Sequence, residues 1–111
     1  LGFADADVVD SSNLHRQIMH NEARQGVSKV LSAKMTCQAL NSNTRIRLHE
    51  EHFTEANGLD LVGEYDIVLD ATDNVTARYL INDACVLRDK TLVFGAAVAW
   101  DGQVAVYHHR G

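Results

Sequence analysis

Two acidic clusters, a loop-borne arginine and a lysine at a helix start are the side chains of this sequence best suited to chemistry. Asp5 and Asp7 follow the opening Leu1-Gly2-Phe3-Ala4, and Asp70-Ala71-Thr72-Asp73-Asn74 closes an apolar run. In open α/β sheets ligands bind beyond the carboxyl ends of parallel strands, where loops and helix N-termini converge. An acid such as Asp5 can there accept hydrogen bonds from ribose hydroxyls, although a solvated loop carboxylate is an equal reading of the same position. Asp73 offers a hard oxygen of the kind that holds magnesium at phosphate-handling sites, or it shares with Asn74 the role of helix cap. Arg16 and Lys29 could supply the few cations that one bound nucleotide needs; taken singly, each reads as surface charge. Asn13 is, by residue type, a turn former.

These side chains need elements to place them. The opening residues look like the end of a strand, and residues 10–20 form a polar loop or short helical turn containing Asp10, Ser11, Ser12 and Asn13. Over 26–41, Val27, Val30, Leu31, Met35 and Ala39 recur with helical spacing, and Asn41 with Ser42 supplies a stop. Ile46 and Leu48 alternate with charged neighbours, as in a half-exposed strand over 44–50. Leu59, Leu61 and Val62 predict a short helix, and the run from Tyr65 to Asp70 predicts a buried parallel strand. A helix then runs from Asn74 to about Leu87 with Ala77, Leu80, Ile81, Ala84 and Leu87 on one face. Strands over 91–97 and 103–107 flank Asp101-Gly102, a tight-turn pair, so the last two strands are expected to be antiparallel. Strand and helix alternate without repeats or linkers, which predicts an α/β sheet with helical crossovers.

Composition narrows the function. The 111 residues are 46% hydrophobic and 23% charged, the balance of a packed globular chain limited to one domain. A formal net charge of -5 argues against direct nucleic-acid binding, which requires a basic face. No apolar run is long enough to span a bilayer and no secretory pattern opens the chain, so no membrane association and a cytoplasmic setting are expected. Cys37 and Cys85 sit among apolar neighbours and read as buried thiols rather than a disulfide. His49 and His52, like His108 and His109, lack companions at metal-binding spacing.

Taken together, Asp5-Ala6-Asp7, Ser12-Asn13-Leu14-His15-Arg16-Gln17, Lys29, and Asp70-Ala71-Thr72-Asp73-Asn74 with Arg78-Tyr79 resemble the adenylation domain of the ubiquitin-activating enzyme superfamily. The resemblance covers residues 1–111. It is closest to the molybdopterin-synthase sulfurylases and ubiquitin-related-modifier-activating adenylyltransferases, through residues 78–87 and 102–107. It implies a Rossmann-like, mostly parallel sheet, with the chain as the central part of a single adenylation domain lacking its first strand and glycine-rich loop. It also implies ATP-dependent adenylation of the C-terminal glycine of a ubiquitin-like sulfur carrier or modifier ending in Gly-Gly, for molybdopterin synthesis or tRNA thiolation, by a homodimer.

By the same resemblance Asp5 meets the ribose, Asn13 and Arg16 the phosphates, Lys29 the phosphate chain and Asp73 magnesium, with Asn74 beside it at the nucleotide. Arg16, Lys29 and Asp73 are the implied catalytic residues. None of the seven glycines forms Gly-x-Gly-x-x-Gly, so the family's nucleotide cradle is expected before Asp5. The family's N-terminal arginine is not among these residues. Zinc and the acceptor cysteine are expected only in a C-terminal part beyond Gly111, since neither Cys37 nor Cys85 matches those positions. Ser42 and Thr91 stand where relatives often carry proline. These 111 residues alone are therefore expected to be inactive. Two other classes stay open on the residues: a non-catalytic half that only docks a partner, and a nicotinamide-dependent oxidoreductase suggested by the α/β alternation.

Overall fold

A computed structural model describes residues 1–98 and 101–107. The chain divides into two compact units, Leu1–His52 and a second beginning at Phe53.

In the first unit, β1 (Gly2–Ala4) pairs in parallel with β2 (Arg47–His49), and helix α1 (Lys29–Leu40) is the crossover between them. Ser28 starts α1: its hydroxyl accepts from the Leu31 amide at 3.1 Å and donates to Glu50 at 2.9 Å. The helix therefore begins three residues after Gly26, the expected start, and Val27 lies outside it. Of the predicted apolar stripe Val30 is buried, but the buried face as a whole is a different one. Leu31 and Met35 are exposed, whereas Val30, Ser32 and Ala33 are buried, with Ser32 at 0% exposure. A serine hydroxyl can occupy an interior position only when partners satisfy it, and those partners lie outside the helix.

The second unit contains α2 (Gly58–Gly63), β3 (Ile67–Asp70), α3 (Val75–Leu87), β4 (Thr91–Val98) and β5 (Asp101–Tyr107). β3 and β4 run parallel and β4 and β5 antiparallel, as expected from the sequence. Asp101 and Gly102, read as a turn, instead pair with Val98 and Ala97 as strand residues; the connection falls at 99–100, outside the described residues.

Apolar packing holds this unit together. Val62, Ile81, Ala84, Cys85 and Leu92 form a buried cluster, with Phe53 and Val68 packed against it. Each fully buried aliphatic side chain stabilises by about 1.5–3 kcal/mol over exposure. β3 is buried on one face only: Val68 faces the cluster and Asp70 is buried, but Ile67 and Leu69 are 59% and 74% exposed. Alternation sends them to the opposite face of the strand. In α3 the buried residues are Ile81, Ala84 and Cys85, while Leu87, expected on the same stripe, is exposed at the helix end.

Candidate functional site

The loop between β1 and α1 carries Asp5, Asn13 and Arg16 and leads into Lys29. Its neck is closed by backbone bonds: the Val9 amide donates to Val27 O at 2.8 Å, Gly26 to Val9 O at 2.9 Å, and Lys29 to Asp7 O at 2.9 Å. Gly26 has φ +83°, a left-handed conformation that disfavours any side chain, so glycine is required where the chain turns back to the neck. Asp5 lies directly after β1, half-buried, with Oδ1 accepting from the Asp7 amide at 2.8 Å.

Beyond the neck, Asp10 caps a short 3-10 turn at Ser11–Asn13. The amide and hydroxyl of Ser12 hold its carboxyl below the usual aspartate range. Asn13 then serves as the hub of the next turn: its carbonyl accepts from the amides of Arg16 and Gln17, and its Oδ1 accepts from Arg16 Nη2 at 2.7 Å. Asn13 and Arg16 are therefore directly bonded. The Arg16 side chain is exposed and keeps further donors available to an anion.

The middle of this loop is tied to α1 by residues that the sequence reading passed over. His20 Nδ1 and Ser32 Oγ lie 2.7 Å apart. Arg24 Nη1 donates to Thr36 Oγ1 at 2.6 Å and to Ser32 O at 2.9 Å, with longer approaches to Met19 O and Ser32 Oγ. Thr36 Oγ1 in turn donates to Met19 O at 2.6 Å. Burial of the imidazole lowers the His20 pKa, as do the charges of Lys29 and Arg24, against a small opposing effect of Asp5. The available sequence signal was the spacing of Ser28, Ser32 and Thr36 along one line of a helix, a polar stripe on a face that would otherwise be apolar.

In the second unit, Asp73 and Asn74 lie between the carboxyl end of β3 and the start of α3. Asp70 is buried at 4% exposure, and its Oδ1 accepts from both the amide (2.8 Å) and the hydroxyl (2.6 Å) of Thr72. Arg78, one turn into α3, donates to Thr72 O through Nε at 3.3 Å and Nη2 at 3.0 Å, and stacks over the Phe94 ring at 4.5 Å. Of the two cap candidates Asn74 caps α3, its Oδ1 accepting from the Ala77 amide at 3.2 Å. The cap role leaves the exposed Asp73 carboxylate next to the helix N-terminus, where its hard oxygens suit magnesium.

Cys85 does not suit a reactive thiol. Cys85 is buried in the apolar cluster, and burial together with the charge of Asp70 raises its pKa; Cys37, expected to be buried, is half-buried on α1. His108 and His109 lie outside the described residues. No helix among the described residues is long and apolar enough to cross a membrane.

A family model described as the ThiF family matches residues 1–111. The chain is 48% identical over 109 residues to the adenylyltransferase and sulfurtransferase MOCS3 of Dictyostelium discoideum, covering 98% of this chain and 26% of that protein. It is 50% identical over 111 residues to MOCS3-2 of Zea mays, which bears the same description, covering 100% and 23%. The chain thus spans about a quarter of the length of these curated relatives. Its structure matches a crystal structure of PaaA with a TM-score of 0.84 at 25% identity, covering 97% of this chain and 36% of that one.

Proposed function

The chain belongs to the ThiF family, and from that premise we propose that it is the central part of an adenylation domain. That domain activates the C-terminal carboxylate of a ubiquitin-like protein ending in Gly-Gly. The carboxylate attacks the α-phosphate of ATP, forming an acyl-phosphate bond as the bond to pyrophosphate breaks. An anion must approach a polyanion, so the barrier is largely electrostatic and falls when cations stand where negative charge accumulates. In this reading Arg16 forks donors onto phosphate oxygens, Asn13 orients Arg16 and contacts the same phosphates, and Lys29 follows the chain as a mobile point charge. Asp5 accepts from the ribose hydroxyls. Asp73 would hold magnesium, which when bound neutralises charge on the phosphates. Asn74, already the cap of α3, keeps the helix N-terminus beside Asp73.

One observation carries the reading: the five polar residues Asp5, Asn13, Arg16, Lys29 and Asp73 occur together in a chain about half identical to proteins described as adenylyltransferases. A cytoplasmic homodimer that uses ATP, serving molybdopterin synthesis or tRNA thiolation, completes the proposal; zinc is assigned outside these residues, since neither Cys37 nor Cys85 stands at the zinc-binding positions of the family resemblance. The test is ATP–pyrophosphate exchange by the full-length protein with and without a Gly-Gly-tailed ubiquitin-like partner. Exchange should depend on the partner and fall about 100-fold or more in Arg16→Ala and in Asp73→Ala. Partner-independent exchange, or exchange untouched by both substitutions, overturns it.

A further inference from the structure

Arg24 takes no part in the reaction just described, yet among the described residues its side chain makes four hydrogen bonds, more than that of any proposed nucleotide residue. All its acceptors are neutral oxygens: Thr36 Oγ1 at 2.6 Å, Ser32 O at 2.9 Å, Met19 O at 3.3 Å and Ser32 Oγ at 3.4 Å. Two of these residues, Ser32 and Thr36, lie on α1, which also bears Lys29. The third, Met19, lies in the loop three residues beyond Arg16. One guanidinium nitrogen therefore joins the loop that bears Asn13 and Arg16 to the helix that bears Lys29. Thr36 closes the link by donating to the same Met19 carbonyl at 2.6 Å, and Ser32, wholly buried, also meets the His20 ring.

The neck bonds of Val9, Gly26 and Lys29 fix where the loop leaves and returns, but they leave its far part, residues 10–25, without backbone pairing to any strand. A loop of that length is ordered only if something beyond its ends holds it. The carbonyl of Met19, held by Arg24 and Thr36, and the ring of His20, held by Ser32, are points of attachment. All four contacts run through the single nitrogen Nη1, so lysine could bring donors to the same oxygens, but from a shorter, flexible stem and as a compact, strongly hydrated point charge, and it reproduces the link only in part.

We infer that Arg24 is a positioning residue for nucleotide activation, holding Asn13 and Arg16 in fixed register with Lys29 through Met19, Ser32 and Thr36. The inference rests on the reading that Asn13 and Arg16 meet the nucleotide phosphates. Misplacing a charge-stabilising group by about 1 Å costs up to about 100-fold in rate, so loss of the Arg24 link acts on the reaction without any contact to ATP.

The test uses the full-length protein in ATP–pyrophosphate exchange and in nucleotide titration calorimetry. Arg24→Met should lower kcat/KM for ATP about ten-fold or more, with ATP affinity reduced as well, and Arg24→Lys should recover only part of the loss. The deciding measurement is the double variant. If Arg24 acts through Arg16, Arg24→Met costs much less in an Arg16→Ala background than in the unsubstituted protein; a general structural role would multiply the two losses. Thr36→Val removes the bridging hydroxyl at nearly constant size and should show the same dependence on Arg16, so it decides the matter if Arg24→Met does not fold. Hydrogen exchange should report faster amides over 10–25 in either variant, with α3 unchanged. Full exchange activity in Arg24→Met, or losses that multiply with Arg16→Ala, overturns the positioning role while the activity stands. No partner-dependent exchange by the unsubstituted protein overturns the activity, and this inference with it.

Discussion

The loop that carries Asn13 and Arg16 and the loop that carries Asp73 are given neighbouring tasks in the proposed reaction, but they are held by different physics. The second is short and is fixed by its immediate neighbours: Asp70 takes the amide and hydroxyl of Thr72, Asn74 caps α3, and Arg78 grips Thr72 O from the next turn. Beneath it lies an apolar cluster of Val62, Ile81, Ala84, Cys85 and Leu92. The first loop spans the whole interval between β1 and α1 and rests on a polar interior instead, with Ser32 at its centre and His20, Arg24 and Thr36 around it. A short loop between regular elements can be shaped by bonds across two or three residues. A long one needs anchors from elsewhere in the chain, and polar anchors provide direction as well as attachment.

The largest test of this contrast compares the two aspartates that open the loops. Asp70 is buried and takes two hydrogen bonds, so Asp70→Ala should cost about 3 kcal/mol in urea denaturation. Asp5 is less buried and accepts a single amide bond, from Asp7, so Asp5→Ala should cost about 1 kcal/mol. Equal costs would mean that burial does not separate the two turns.

Next come the helix caps, where the two units should behave alike. Ser28→Ala and Asn74→Ala each remove one side-chain acceptor from a helix N-terminus, and each should cost about 1 kcal/mol. A markedly larger cost at Ser28 would show that its second bond, to Glu50, contributes to the first unit as well.

The smallest effect is a pH dependence confined to the first unit. The His20 pKa is lowered in the folded protein, chiefly by burial, so the unfolded chain takes up the proton first as pH falls. The stability that neutral His20 contributes is present above its ordinary pKa of about 6.5 and is lost as pH drops below that value through the lowered one. Melting temperature should therefore fall less between pH 7 and pH 5 in His20→Gln than in the unsubstituted protein. Lys29, Arg24 and Asp5 are the charges acting on the ring, and an identical pH profile in the variant would separate the polar interior from proton uptake.

From the sequence alone, one could read the α/β alternation, the run from Tyr65 to Asp70 as a parallel strand, the antiparallel last pair from its turn signal, and Asn74 as one of two candidate caps. The motif residues Asp5, Asn13, Arg16, Lys29 and Asp73 were equally visible there, with the family they belong to. Each of these rests on residue types or on contacts within one or two turns of chain, where period and capping leave a local trace. Only the tertiary structure decided which face of α1 is buried, that Asp101 and Gly102 are strand rather than turn, that Asn13 holds Arg16, and that Arg24 ties the loop to the helix. The Arg24 to Thr36 bond spans twelve residues and the Thr36 to Met19 bond seventeen. At such separations hydrogen bonding depends on how the chain returns on itself, and no spacing rule encodes that path. Ser32 shows the consequence most directly: as a residue type it belongs at the surface, and only its partners make the interior the lower-energy place.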